Sequence, residues 1–257
     1  MHNLIFDSHS HYDDDAFDSD RETFLPHLLN TVKAVLHASV DTKSMDFGIE
    51  NSERFRNFYT SVGFHPEAMD RLPENPCQYL EDVICQKKGK IVAVGEIGLD
   101  YHYEGYDRDA QIKLFDEQLE LAKKYDLPVI VHLRDATEDG LSLIRKHRPR
   151  GVMHCFSGSA ETAKEVVSLG MYVSFTGVLT FKNSKKAKKA CAEVPVDRLL
   201  LETDCPYMAP EPFRGRRCDS TMILQTAESM AQIKGISTEE MLNIASKNTC
   251  DLFGISI

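Results

Sequence analysis

The sequence has no excess of basic charge, no Cys-x-x-Cys pair, no glycine-rich phosphate loop and no long apolar run. Each absence excludes a class of protein. With 30 basic against 40 acidic side chains the formal net charge is −10, ten histidines left out. A protein that holds nucleic acid mainly by charge needs the opposite balance, whereas an enzyme that draws cations into an acidic site does not. The apolar runs fall well short of the ~20 residues a membrane span requires, so no membrane association is expected. The N-terminal stretch Met1–Asp7 carries neither a basic nor an apolar leader region, which argues against a signal peptide. Seven cysteines, at positions 77, 85, 155, 191, 205, 218 and 250, form an odd and scattered set. They read as reduced thiols in a cytoplasmic protein. Repeats, low-complexity stretches and Pro/Gly/Ser linkers are also missing, and no obligate protein partner is evident. At 42% hydrophobic and 27% charged residues the composition excludes a disordered or fibrous chain. The 257 residues suit one domain, 1–257, that needs no disulfide staples.

What is present is an alternation. Eight short apolar or β-branched runs recur: Leu4–His9, Val32–Val40, Tyr59–Phe64, Ile91–Gly95, Pro128–Leu133, Gly151–Phe156, Tyr172–Gly177 and Leu199–Asp204. Between them lie amphipathic segments such as Asp107–Tyr125 and Ala160–Leu169, and two more, Thr221–Ile233 and Thr238–Leu252, close the chain. Strands alternating with helices imply parallel βαβ units. Eight units in ~250 residues predict an α/β fold of the (β/α)8 TIM-barrel type. A doubly wound sheet is the competing architecture, but Asp7-Ser8-His9 stands where its glycine-rich turn belongs.

In a parallel barrel the chemistry sits at the carboxyl ends of the strands. Those ends carry His9 and His11, Glu96, His132, His154 and Asp204, with His65 just beyond the third run. An H-x-H pair on a strand places both imidazoles on one face. Such pairs arise by chance, but four further polar residues at strand ends favour a metal site. Four imidazoles and two carboxylates exceed the needs of one tetrahedral ion. The surplus predicts two divalent cations with Glu96, from the middle of the strand order, as the bridge. Paired cations suit hydrolysis of phosphodiesters, and equally of amides and esters. Asp204 can both bind a cation and accept a proton from water; its alternative role is to cap the Thr203–Pro206 loop. Ligand softness leaves the metal open: imidazoles favour Zn²⁺, and mixed carboxylate and water coordination admits Mg²⁺ or Mn²⁺.

Arg134 shares a strand face with His132, and Arg214, Arg216 and Arg217 follow the eighth run. Their guanidinium forks match phosphate oxygens, although Arg216 and Arg217 read more readily as solvated or salt-bridged charges. The lysine cluster at 182, 185, 186, 188 and 189 could guide a polyanion or simply be a solvated helix face. Ser157-Gly158-Ser159 could present amides to an anion or merely cap a helix. Cys155 and Cys205 are expected to pack away from the site, and Leu114, Phe115, Leu119 and Leu121 to pack on the barrel. There is no Gly-x-Ser-x-Gly or P-loop pattern.

Six segments together resemble the TatD family of metal-dependent deoxyribonucleases: Phe6–His11, Val62–Pro66, Val94–Tyr101, Val129–Ala136, His154–Gly158 and Leu199–Tyr207. They occur in order, and G-E-I-G-L-D-Y and L-L-E-T-D-x-P-Y are highly specific. The resemblance implies a TIM barrel of the metal-dependent hydrolase group, two metals, and removal of nucleotides from a DNA 3′ end, preferably single-stranded. By position it implies His9, His11, Glu96 and Asp204 as ligands of one metal and Glu96, His132 and His154 of the other. Glu96, Asp204 and His65 form the implied catalytic set, and His65, Arg134 and Arg214 the phosphate contacts. Related amidohydrolases often place a carbamylated lysine where this chain has Glu96. Hydrolysis of an aminoacyl ester such as D-aminoacyl-tRNA uses the same two-metal chemistry and is the alternative activity. A non-catalytic binding module is disfavoured because no ligand is missing. One departure stands out: Cys218-Asp219-Ser220 replaces a stretch in which the family commonly has an asparagine and, two positions on, a proline.

Overall fold

Eight parallel strands stand side by side in sequence order, each followed by helix, in a computed structural model that describes residues 1–86 and 89–257. The chain runs β1 (Phe6–Ser10), α1 (Arg21–Thr31), β2 (Ala34–His37), α2 (Thr42–Arg54), β3 (Phe58–Val62), α3 (Pro76–Gln86), β4 (Ile91–Asp100) and α4 (Arg108–Lys124). It continues through β5 (Val129–Arg134), α5 (Thr137–His147), β6 (Gly151–Met153), α6 (Ala160–Ser168), β7 (Tyr172–Phe175), α7 (Lys185–Glu193), β8 (Leu199–Leu201), α8 (Ile223–Lys234) and α9 (Thr238–Phe253). This is the single (β/α)8 barrel the alternation predicts. The seam between β8 and β1 is joined by single hydrogen bonds in place of a full ladder. Ser8 Oγ donates to the Leu201 carbonyl at 3.0 Å, the Asp204 amide to His9 O at 3.0 Å and the His11 amide to Cys205 O at 2.9 Å. Among the described residues no helix is long and apolar enough to cross a membrane.

Helix boundaries follow local chemistry. Asp107, Ser159 and Ser237 accept hydrogen bonds from the amides of Ala110, Thr162 and Glu240 and so start α4, α6 and α9. Gly235 and Gly254 end α8 and α9 in the left-handed conformation. Helix α4 buries Leu114, Phe115, Leu119 and Leu121, as its spacing predicts. Helix α7 turns Ala187, Ala190 and Cys191 inward, which leaves Lys185, Lys186 and Lys189 exposed.

The barrel interior is layered. Phe6, Ala34, Leu36, Tyr59, Ala93, Ile130, Val152 and Leu200 form one buried apolar cluster, and Phe253 and Ile255 pack on it from the chain's end. Two residues further along the same strand faces stand His132, His154 and Glu202, so a polar layer lies directly above an apolar floor. Two strands break this alternation. The β1–β2 register shifts between Asp7 and Ser10, and the β4–β5 register shifts between Val94 and Ile97. Val94 and Ile97 both join the outer core although they are three apart. The extra residue this demands turns Glu96 inward. The strand therefore continues to Asp100 and does not end at Gly95. Conversely β6 and β8 end earlier than their apolar runs, because the backbone turns left-handed at Cys155 (φ 43°) and Asp204 (φ 60°).

Candidate metal centre

Glu96 sits at the centre of the carboxyl-end layer, 3% exposed. Its strand approaches its neighbours too closely for ordinary side chains: a Cβ on Gly98 (φ 149°) would run into the His132 carbonyl oxygen. The Glu96 amide is fixed by Ser39 O at 2.7 Å. Its two carboxylate oxygens face different partners. Oε2 lies 3.2 Å from His9 Nε2 and 3.6 Å from His11 Nε2, and Asp204 Oδ1 lies 3.6 and 3.3 Å from the same two nitrogens. Oε1 lies 2.9 Å from His132 Nδ1, 2.8 Å from His154 Nε2 and 3.4 Å from His65 Nε2.

This donor set fits cations. His9 Nε2 and His11 Nε2 are 3.0 Å apart, and His132 Nδ1 and His154 Nε2 are 3.3 Å apart. Imidazole nitrogens converging in this way, with carboxylate oxygens beside them, match the donor set of a divalent cation. Among the described residues three clusters of potential ligand atoms form, His9/His11/Glu96, His65/Glu96/His132 and His9/His154/Glu202, the first two sharing Glu96; the hydrogen bonding of His65 sets it apart from the rest. The implied ligands His9, His11, Glu96, His132, His154 and Asp204 are thus all brought together.

Carboxylates stand behind the ligand rings. Asp100 Oδ2 lies 3.0 Å from His132 Nε2, which leaves Nδ1 for the centre. Glu202 Oε1 lies 3.5 Å from His154 Nδ1, while Glu202 itself accepts from the Cys155 amide at 2.6 Å and Ser174 Oγ at 2.7 Å. Both its oxygens are therefore engaged, and it stands at ion-pair distance behind the His154 ring without a hydrogen bond to it. Asp7 accepts hydrogen bonds from the Thr203 and His9 amides and from the Thr203 and Ser220 hydroxyls, tying β1 to β8. Asp7, Asp100 and Glu202 lie within the segments that carry the family resemblance, although neither spacing nor chemistry in the sequence assigns them a role.

Electrostatics follow from this crowding. Burial works to raise the Glu96 carboxyl, but His154, His65, His9 and a hydrogen bond from His132 hold it well below the carboxylate range. Asp204 is likewise held low against burial by His11, His154 and His9. Burial opposes the charge on His11, yet Asp204 and Glu96 push it up to about 9. His132 and His154 are raised against burial by Asp100, Glu202 and Glu96. Burial lowers His9 and His65.

His65 differs from the other histidines of the centre. It lies beyond β3, where its Nδ1 accepts a hydrogen bond from the Glu67 amide at 3.1 Å. A neutral ring that accepts at Nδ1 carries its proton on Nε2. The atom facing Glu96 is therefore a donor, which suits an anionic oxygen and not a metal.

A cavity of about 840 Å³ opens above the cluster. Arg134 lines it, as its strand position predicts, and so do Lys186, from the lysine cluster read as a possible guide for a polyanion, and Arg71, which the sequence does not single out. Arg214 does not line it. Its guanidinium stacks on Phe181 at 4.5 Å, in an adjoining cavity of about 390 Å³ that shares Val178 and Ser184 with the first. Arg216 stacks on Phe213, and Arg217 pairs with Asp20 at 2.6 Å. Cys205 is buried in the core, but Cys155 lines the cavity, because the left-handed turn at this residue replaces strand alternation. Ser159 caps α6, while Ser157 reaches the cavity wall. The Cys218–Ser220 stretch stays clear of the cavity: Ser220 Oγ bonds Asp7 at 2.6 Å and Tyr12 Oη at 2.6 Å, beneath the β1–β8 seam.

An eight-stranded barrel whose carboxyl-end rim converges imidazoles and carboxylates on a shared glutamate defines the metal-dependent hydrolase class. Comparison with known proteins narrows this. The family described as TatD related DNase matches residues 6–254. The chain is 36% identical over 257 residues to the metal-dependent hydrolase YabD of Bacillus subtilis, covering 98% of this chain and all of that protein. It is 39% identical to the metal-dependent hydrolase YcfH of Escherichia coli over 77% of this chain and 75% of that protein. The crystal structure of the TatD homologue YjjV of Escherichia coli superposes over the full length of both chains with a TM-score of 0.93 at 29% identity. The chain belongs to the TatD family of metal-dependent hydrolases.

Proposed function

We propose that this protein hydrolyses phosphodiester bonds with two divalent cations, as a 3′→5′ exodeoxyribonuclease that prefers single-stranded DNA. The observation that carries the reading is the division of Glu96, whose two oxygens face two separate donor sets. His9, His11, Glu96 and Asp204 would hold one ion, and Glu96, His132 and His154 the other. When bound, such ions acidify water and neutralise charge at phosphorus, as Mg²⁺ or Mn²⁺ does in two-metal hydrolases.

The chain's own groups supply the rest. Arg134 offers a bidentate cation to non-bridging phosphate oxygens from the cavity wall. His65 donates from Nε2 to the same phosphate, where added charge gathers in the transition state. Asp204, kept ionised by the imidazoles around it, accepts the proton of the attacking water. The P–O3′ bond breaks, the released 3′ oxygen takes a proton from solvent, and a nucleotide with a 5′ phosphate leaves. The cavity closes on the Glu96 cluster, which suits the end of a chain better than its middle. The family name supports DNA as the substrate, and the 3′ direction follows the family the sequence resembles.

The test is a 5′-labelled single-stranded oligonucleotide incubated with Mg²⁺ or Mn²⁺. The expected product is a ladder shortened from the 3′ end, abolished by chelation and by Glu96→Ala. An intact oligonucleotide, with D-aminoacyl-tRNA deacylated in a parallel reaction, overturns the reading in favour of ester hydrolysis.

A further inference from the structure

Exposed apolar side chains are few here and unevenly placed. Among the described residues, and apart from the chain termini, they are Tyr103, Tyr106, Val196, Tyr207 and Met208. Tyr106 is stacked on Tyr101 at 4.6 Å. Tyr103, Tyr207 and Met208 all line the mouth of the metal-centre cavity. Single exposed apolar residues are ordinary; their concentration at one opening is not.

The two tyrosines stand on opposite walls. Tyr103 follows β4 and Tyr207 follows β8, and in a ring of eight strands in sequence order these strands are diametrically placed. Both rings are held although they are exposed, Tyr103 by 58% and Tyr207 by 55%. Tyr207 Oη donates to Asp14 Oδ2 at 2.7 Å. The Arg134 guanidinium lies over the Tyr103 ring at 5.1 Å, with Nη1 donating to Oη at 3.4 Å. Between the rings lie the Glu96 cluster and the cationic groups Arg71, Arg134 and Lys186. A ligand that matches this surface alternates planar apolar groups with anionic linkers. A polynucleotide does so, with a base on each side of every phosphate.

We infer that Tyr103 and Tyr207 are base platforms that stack the two nucleobases flanking the scissile phosphodiester, one on each wall. The substrate is then a single strand whose last two bases are unpaired and splayed apart. A paired base cannot reach either ring, so the platforms select single-stranded ends, and stacking on a π-face is tolerant of base identity. The inference rests on the phosphodiesterase reading and names the groups that recognise its substrate.

The experiment compares wild type, Tyr103→Ala and Tyr207→Ala on three single-stranded oligonucleotides: one natural, one abasic at the terminal position and one abasic at the next. On natural DNA each alanine variant should lower kcat/KM about 5- to 150-fold, the loss expected for one stacked base. Tyr103→Phe and Tyr207→Phe, which retain the rings, should recover most of it. Each alanine variant should suffer no further loss when one particular base is removed, and the two variants should be indifferent to different bases. A Mn²⁺ titration unchanged from wild type shows that each variant is folded around its centre. If the losses from side-chain and base removal simply add at both positions, the platforms are overturned while the nuclease reading stands. If wild type leaves natural DNA intact, the nuclease reading itself fails.

Discussion

Asp100 Oδ2 lies 3.0 Å from His132 Nε2, and this contact decides which nitrogen of the ring faces Glu96. The carboxylate holds Nε2, so Nδ1 is the nitrogen presented to the centre, 2.9 Å from Oε1, and its lone pair would serve a cation bound there. Asp100 does not join the ligand clusters; it orients a ligand. Asp100→Ala should weaken one of two Mn²⁺ binding steps by about 10- to 100-fold and leave the other unchanged. Isothermal titration of metal-stripped protein reads both. Two unaltered steps would remove Asp100 from the account.

His65 should behave in the opposite way. Its Nδ1 is occupied by the Glu67 amide, so in the neutral ring Nε2 carries a proton, as the proposed donation to substrate requires. His65→Ala should lower kcat by about 10²- to 10³-fold, the loss typical of a donor to transition-state charge, with both metal equivalents retained. His132→Ala, by contrast, should lose a metal equivalent. If His65→Ala also loses one, His65 is a ligand and the tautomer argument is wrong.

His37 gives a prediction about pH. It is fully buried at the end of β2, with Nε2 3.2 Å from Ser44 O and 3.1 Å from Ser44 Oγ. Burial, opposed by Asp13 and reinforced by His11, pushes it down to about 4. The folded protein thus resists a proton that the unfolded chain binds near 6.5. His37 contributes stability in full above pH ~6.5, and this is lost as pH falls from there towards 4. The gap corresponds to about 3 kcal/mol. Urea midpoints measured at pH 7.5 and pH 5 should fall less in His37→Gln than in wild type, and equal falls would contradict the assignment.

Much of this site was legible because barrel chemistry collects at strand ends: His9, His11, Glu96, His132, His154 and Asp204 could be named from their positions in the eight runs. What escaped depended on register and turns. Glu96 faces inward only because β4 gains a residue between Val94 and Ile97, whereas a run ending at Gly95 gives no such sign. Asp7, Asp100 and Glu202 lie inside the matching segments, but only the structure sets Asp100 against the His132 ring, Glu202 near His154 and Asp7 across the β1–β8 seam. Arg214 follows β8 as the resemblance requires, yet Phe181 holds its guanidinium in the neighbouring cavity. Cys155 was expected to point away from the site, a rule that holds on a strand and fails at a left-handed turn. The Cys218–Ser220 departure sits under the β1–β8 seam, where Ser220 serves Asp7.

The central claim is that Glu96, with one oxygen towards His9 and His11 and the other towards His132 and His154, joins two cations. The direct measurement is a Mn²⁺ titration of the metal-stripped protein, followed by calorimetry and electron paramagnetic resonance. The account predicts two equivalents per chain and an exchange-coupled signal that Glu96→Ala abolishes. One equivalent, with an uncoupled signal that survives Glu96→Ala, would contradict it.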